Sequence, residues 1–392
     1  MGEWIEKSMD EITEFNPRET IKKGSVAKKI TMDKLQPFCR DVLGFEWESF
    51  SGGTKFRNDD TIMARITPCL ENGKTAMINV LEESEVGFGS TEYIVFRAKK
   101  GYDPNFIYYL VTSPGVREPA IKSMVGSSGR QRVQTDVVQN LKVKVPNLEE
   151  QKVVAGILKS LDDKIAVNRK INENLEQQAQ SYFQELFVDN ANPEWTIGTI
   201  SDLGTVVGGS TPSKAKPEYY AESGIAWITP KDLSINKSKF ISHGENDITE
   251  LGLKNCSATI MPEGTVLFSS RAPIGYIAVA VGEVTTNQGF KSVAPKPEVG
   301  TAYVYFFLKH NLPIIEGMAS GSTFKEVSGS TMKNIPAVIP DAETLIRFND
   351  LCVPIFVQQK ALEEQNQLLA TLRDNLLPKL MSGEIDVSTI QI

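Results

Sequence analysis

The sequence predicts an α+β chain built from two similar mixed α/β regions, each followed by one long helix. Three observations carry this reading. Met124-Val-Gly-Ser-Ser128-Gly-Arg-Gln-Arg-Val133, ending in Asn140-Leu-Lys-Val-Lys-Val-Pro146, returns 194 residues later without a gap as Met318-Ala-Ser-Gly-Ser322-Thr-Phe-Lys-Glu-Val327 and Asn334-Ile-Pro-Ala-Val-Ile-Pro340. A heptad pattern follows each of those prolines in the same phase. The 392 residues are 41% apolar and 23% charged, enough for two or three folded domains.

In chain order, residues 1–145 are expected to form the first globular domain, with strands at Tyr93–Arg97 and Asn140–Val145. A short helix is expected at Asn105–Val111, with Asp103 as its cap and Pro104 at its first position. Residues 146–188 form the first long helix. Leu158, Ile165, Asn172, Ala179 and Leu186 occupy one core position of its heptad, and Val154, Leu161, Asn168, Leu175 and Tyr182 the other. Residues 189–340 form the second globular domain, with strands at Thr265–Ser269 and Tyr276–Val281 and a helix at Tyr303–Leu308. Residues 341–392 hold the second long helix, whose stripe is Cys352, Gln359, Asn366, Arg373 and Leu380 with Phe348, Ile355, Leu362, Leu369 and Leu376. Pro354 should kink this helix or force it to restart.

Each stripe could lie on its own domain. Their common phase, their length of about 60 Å at 1.5 Å per residue and their similar setting favour pairing of the two helices. Leu161, Ile165, Asn172 and Leu175 would meet the second helix, and Ile355, Leu362, Asn366 and Leu369 the first. Asn172 and Asn366 fall in equivalent core layers, where a buried Asn fixes register at some cost in stability.

Charge follows the same division. The net charge of −7 splits into +1 over residues 1–145, −3 over 146–190, −1 over 191–340 and −4 over 341–392. The excess acid lies in the helices, and two near-neutral regions remain that can each carry a basic face. No run of 18 apolar residues occurs, which argues against a membrane helix, and the acidic first residues lack the apolar core of a secretory signal, so a cytoplasmic protein is expected.

Few residues suit catalysis. Cys39, Cys69, Cys256, Cys352, His243 and His310 are scattered at no zinc-site spacing, so no metal site is expected. Gly87-Phe-Gly89 lacks the third glycine of a dinucleotide loop and reads as a turn, as does Gly208–Lys214, which does not complete a phosphate-binding P-loop. Asp103-Pro-Asn-Phe106 departs from the D-P-P-Y/F loop of amino-methyltransferases at Asn105. No catalytic residue is assigned.

What repeats is polar and basic. Arg130, Gln131 and Arg132 in one loop correspond to Ser322, Thr323 and Lys325 in the other. Arg can fork onto guanine and Gln onto adenine, while Ser, Thr and Lys bind phosphates. Arg65 and Arg271 stand at parallel positions upstream. Asn287, Gln288 and Lys291, with Thr211, Ser213 and Lys214, add groups of the same kind. These are the candidate DNA-binding residues.

At this point the chain resembles the specificity (S) subunits of Type I restriction-modification systems. Gly208-Gly-Ser-Thr-Pro-Ser-Lys-Ala-Lys-Pro-Glu-Tyr-Tyr220 and Ile225-Ala-Trp-Ile-Thr-Pro-Lys-Asp-Leu233 look like the opening of a target-recognition domain. Ser270-Arg-Ala-Pro-Ile-Gly-Tyr276 with Thr286-Asn-Gln-Gly-Phe-Lys291 is similar to its middle, and residues 16–38 look like the opening of the first such domain. Glu150–Ile165 and Asn168–Leu175 are similar to the family's spacer helix.

The resemblance implies two target-recognition domains related by a pseudo-twofold repeat, each reading half of a bipartite, asymmetric site in double-stranded DNA. It implies an antiparallel coiled coil of the two helices that acts as a ruler. Two methyltransferase subunits would bring S-adenosylmethionine for adenine N6 methylation, and restriction/translocase subunits would bring ATP and Mg. The chain itself would hold no cofactor. A coiled-coil scaffold without DNA selectivity, or a small-molecule enzyme with an unrecognised site, are the alternatives. The repeat also leads us to expect that residues 1–190 alone form a homodimer through the stripe of the first helix.

Overall fold

Each half of the repeat opens in the same way. Strand Ile5–Ser8 runs into the single-turn helix Met9–Ile12, and strand Thr196–Thr199 into the single-turn helix Ile200–Leu203. In both, a reciprocal capping box starts the turn: the Ser8 N–H donates to Glu11 (2.6 Å) and the Thr199 N–H to Asp202 (2.8 Å). Each opening strand pairs antiparallel with the strand before the following long helix, Ile5–Ser8 with Lys142–Val145 and Thr196–Thr199 with Pro336–Ile339. The computed structural model describes residues 4–271, 273–321 and 325–387. It divides into a first unit, Met1–Asn168 with Asn366–Ile392, and a second, Arg169–Gln365.

The first unit has two four-stranded sheets. One runs in the order Thr13–Phe15, Tyr93–Ala98, Thr61–Ala64, Thr75–Met77, all antiparallel. The other runs Glu46–Ser49, Val26–Ile30, Gly87–Gly89, Thr54–Phe56, with its middle pair parallel. Gly87–Gly89 is therefore a buried strand, not the turn expected from its glycines. The glycines serve close packing: a Cβ on Gly89 would stand 2.5 Å from the Ile30 carbonyl oxygen, and one on Gly87 2.8 Å from the Phe56 ring. Helix Pro104–Thr112 buries Phe106 through Val111. Asp103 caps it as expected, accepting from the Phe106 N–H at 2.9 Å. Its core is closed by Val154, Ala155 and Leu158 of the first long helix and by Leu380 and Met381 of the second.

The second unit has a five-stranded sheet ordered Gly204–Gly208, Lys291–Pro295, Val266–Ser270, Ile274–Ala280, Phe240–Ile241. Helix Thr301–His310 packs beneath it, burying Tyr303 through Leu308. Here the long helices, with the turn Glu185–Asp189 that follows the first, contribute an aromatic cluster. Phe183 and Phe187 meet Tyr303 and Phe348, with Phe187 and Tyr303 centroids 4.7 Å apart.

The long helices are Leu148–Gln184 and Ala342–Met381. The second runs without interruption through Pro354, so it does not restart there. Within each unit they pair antiparallel. In the first unit Asp162 meets Arg373 and Asn168 meets Asn366; in the second, Asn172 and Glu176 meet Gln359. Of the expected pairing residues, Ile165 and Ile355 are buried, while Leu161, Asn172, Leu175, Leu362, Asn366 and Leu369 are half-buried. The two asparagines of equivalent layers belong to different units. The antiparallel course sets Asn366 against Asn168 (2.9 Å) and lets the Asn172 amide donate to the Gln359 carbonyl (3.3 Å).

In the second unit Glu176 accepts from Lys239 (2.8 Å), Lys309 (2.6 Å) and the Tyr305 hydroxyl (3.1 Å). Lys239 also donates to the Gln359 side chain (2.9 Å) and lies 3.4 Å from the centre of the Phe356 ring. Burial pushes the Glu176 carboxyl up, but the two ammonium groups overcome that and hold it at about 2, down from 4.5. A depressed carboxyl stabilises the fold above its unfolded pKa and loses that contribution as pH falls through the folded value. Stability of the second unit should therefore drop by on the order of 3 kcal/mol between about pH 4.5 and 2. Denaturant unfolding across that range should show the acid-sensitive component in the parent and not in Glu176→Gln.

Candidate nucleic-acid interface

The repeated loop is a hairpin in the first unit, and the described residues flanking its counterpart in the second are bridged in the same way. In the first, Val125 and Arg132 bridge each other and Arg132 also bridges Ile66; in the second, Ser320 bridges Glu326 and Glu326 bridges Arg271. The Val133 N–H donates to the Arg65 carbonyl (2.8 Å) and the Val327 N–H to the Ser270 carbonyl (3.0 Å). The same backbone stitch thus hangs each loop on the strand region beneath it. Gly126 (φ 136°) and Gly129 (φ 76°) take the left-handed conformations that turn the first hairpin.

In the first unit Arg130 is exposed and has no ion pair among the described residues. Gln131 is half-buried. Arg132 forks onto the Glu92 carboxylate with contacts of 2.7 to 3.0 Å. That guanidinium lowers the Glu92 pKa. Arg65 does not reach outward to the hairpin tip; its guanidinium donates to the Val133 carbonyl at 3.0 Å.

In the second unit four of the expected residues, Thr211, Gln288, Lys291 and Arg271, form one connected group. The Thr211 hydroxyl donates to the Gln288 side chain, and Lys291 reaches the Gln288 carbonyl (3.4 Å). Lys291 and Arg271 stand 3.4 and 3.5 Å from the two oxygens of Glu326. Asn287 accepts from the Gly289 N–H at 2.8 Å, shaping the turn. Gly209 passes so close that a Cβ would lie 2.2 Å from the carbonyl oxygens of Thr286 and Asn287, which is why the loop carrying Thr211 can lie against this turn. Ser213, Lys214 and Lys325 are exposed. Ser322 and Thr323 lie outside the described residues.

Glu92 and Glu326 did not figure among the expected site residues. Glu326 had a signal: it stands 194 residues after Arg132 and carries the opposite charge. Glu92 had none, because the repeat loses register upstream of the hairpin. Among the described residues no group of three His, Cys, Asp or Glu is arranged to hold a metal ion, and no helix is long and apolar enough to cross a membrane.

Residues 1–177 and 192–377 match the family model described as the Type I restriction modification DNA specificity domain. Over 199 residues the chain is 39% identical to the MjaIX specificity subunit of Methanocaldococcus jannaschii, a match covering 48% of this chain and 44% of that protein, so it spans less than half of that relative's length. It is 25% identical over 358 residues to the HindI specificity subunit of Haemophilus influenzae, covering 72% of this chain and 77% of that one. The crystal structure of the Type I restriction-modification S subunit from M. genitalium shares the fold, with a TM-score of 0.58 at 15% identity over 97% of this chain and 96% of that chain.

Proposed function

The chain belongs to the family of Type I restriction-modification specificity subunits, a non-catalytic family, and from that membership we propose that it reads a bipartite, asymmetric site in double-stranded DNA. In this reading residues 1–145 and 189–340 are the two target-recognition domains, and residues 146–188 and 341–392 are the spacer helices. Each domain reads one half-site. The chain brings two methyltransferase subunits, which carry S-adenosylmethionine and act on adenine N6, and restriction/translocase subunits, which use ATP and Mg.

The observation that supports this best is the repeated loop. It hangs by the same backbone stitch in both units, and it gathers groups that bind phosphates and base edges: Arg130, Gln131 and Arg132 in one, and Arg271, Gln288, Lys291 and Lys325 in the other. Two copies of one loop suit a two-part target better than a single small-molecule site. The helices carry the acidic excess, −3 and −4, which suits protein partners better than DNA.

Modularity tests the proposal. Exchanging residues 208–333 for the equivalent segment of a relative should change one half-site and preserve the other half-site and the spacer. Sequencing methylated bases in cells carrying the chimaera reads this directly. Two altered half-sites would refute the division into independent reading domains.

A further inference from the structure

Resting on the DNA-recognition reading above, we propose that Glu92 and Glu326 are latches on the reading loops: Glu92 holds Arg132 in one domain, and Glu326 holds Arg271 and Lys291 in the other. Each latch keeps its cations from phosphates of non-specific DNA and releases its arginine to the target.

The two latches occupy the same place in the repeat with opposite polarity. Position 132 contributes the cation and position 326, its counterpart 194 residues on, contributes the anion. In the first unit the hairpin offers Arg132 to a carboxylate on the body of the domain; in the second the loop offers Glu326 to Arg271 and Lys291 on the body. Both units place an ion pair at this loop position although its members differ. In both units the pair masks cations at the loop that carries the candidate DNA-binding residues.

Exposure decides that these pairs can open. The Arg132 and Glu92 side chains are 47% and 24% exposed, and those of Arg271 and Glu326 are 37% and 36% exposed, while Lys291, at 16%, stays enclosed beside Glu326. Pairs this accessible are worth about 0–1 kcal/mol. A guanine edge of the target can take the freed guanidinium at small cost, whereas a backbone phosphate must also bear the repulsion of the carboxylate left beside it. The freed carboxylate then faces the duplex. It repels backbone phosphates, and it can accept a hydrogen bond from a cytosine N4 amine where the sequence supplies one. Non-specific binding bears the repulsion without that gain, so the latch widens the gap between target and non-target DNA.

The test is the salt dependence of binding to non-specific duplex by the full chain in complex with its methyltransferase partner. Each cation newly free for a phosphate steepens the slope of log K against log salt by about 0.9. Glu92→Gln frees Arg132 and Glu326→Gln frees Arg271, so we expect each slope to steepen by about 0.9. Between about 50 and 200 mM salt this is a further loss of roughly 3-fold for each variant. At low salt both variants should bind non-specific duplex more tightly than the parent and discriminate target from non-target less well. The double variant E92Q/R132Q should return to the parental slope, which separates release of Arg132 from damage to the fold. Glu83→Gln, at an exposed carboxylate with no ion pair among the described residues, sets the effect of net charge alone. Unchanged slopes in a complex that binds its target, or a Glu83→Gln slope as steep as that of Glu92→Gln, would overturn the latch. A parent complex that binds no duplex at all would overturn the DNA-recognition reading itself, and the latch with it.

Discussion

Arg373→Met should destabilise the first unit by about 3–5 kcal/mol, the range for removing one partner of a buried ion pair. Arg373 comes from the second long helix, yet its guanidinium closes the core of the first globular region. Its Nη1 donates to Asp162 at 2.7 Å and to the Phe38 carbonyl at 3.0 Å, and Nε and Nη2 grip Asp374. The Asp162 side chain is only 5% exposed and that of Arg373 10%. Without the guanidinium, Asp162 keeps the Tyr109 hydroxyl (2.7 Å), a single neutral donor for a buried carboxylate. Denaturant unfolding should show a lower midpoint at unchanged slope. The double variant D162L/R373M should recover most of the loss, because two apolar groups of matched volume leave no orphaned charge. A loss below about 1 kcal/mol in R373M would mean that water reaches Asp162, and the pair would then belong with the exposed ones.

The contrast between residues 373 and 355 shows what the sequence could and could not reveal. Ile355 lies on the apolar stripe and is buried, as the heptad period requires. Arg373 lies on the same stripe, but periodicity gives a charge at a core position no partner. Asp162 is 211 residues away and is found only once the chain has folded. The repeated loops were legible because Met124, Ser128, Val133, Asn140 and Pro146 recur 194 residues later, without a gap, as Met318, Ser322, Val327, Asn334 and Pro340. The carboxylate that grips Arg132 was not, since Glu92 precedes a strand whose register with the second half is lost. Gly87–Gly89 misled because three residues carry no periodicity and glycine signals turns more often than close-packed strands. Antiparallel pairing within each unit explains why Asn172 and Asn366, equivalent in the repeat, find different partners, Gln359 and Asn168.

A fragment of residues 1–190 should associate weakly as a homodimer, and Ala179→Arg should strengthen it by at least 100-fold. The sequence alone supports pairing, because each half holds a globular region and a helix in one phase. The structure adds that residues 366–387 belong to the first unit, whose core includes Leu376, Leu377, Leu380 and Met381. The fragment lacks them, and a second copy of the first helix must supply their places. Shifted back by 194, those four positions become Tyr182, Phe183, Leu186 and Phe187, all apolar, and Asn366 becomes Asn172, which can still face Asn168. One layer fails. Arg373 becomes Ala179, so Asp162 would be buried against a methyl group, once in each protomer. At about 3–5 kcal/mol for a buried charge that has lost its partner, this layer offsets much of the apolar gain, which is about 1.5–3 kcal/mol for each fully buried large side chain. Ala179→Arg returns a guanidinium to both copies of Asp162, and about 1.4 kcal/mol of recovered association energy is worth a factor of ten. Asp162→Leu in the fragment should also tighten the dimer, by removing the charge instead of pairing it. Sedimentation equilibrium over a concentration series measures all three. If Ala179→Arg dimerises no more tightly than the unmodified fragment, the layer of Asp162 and Arg373 does not determine which helix pairs with which.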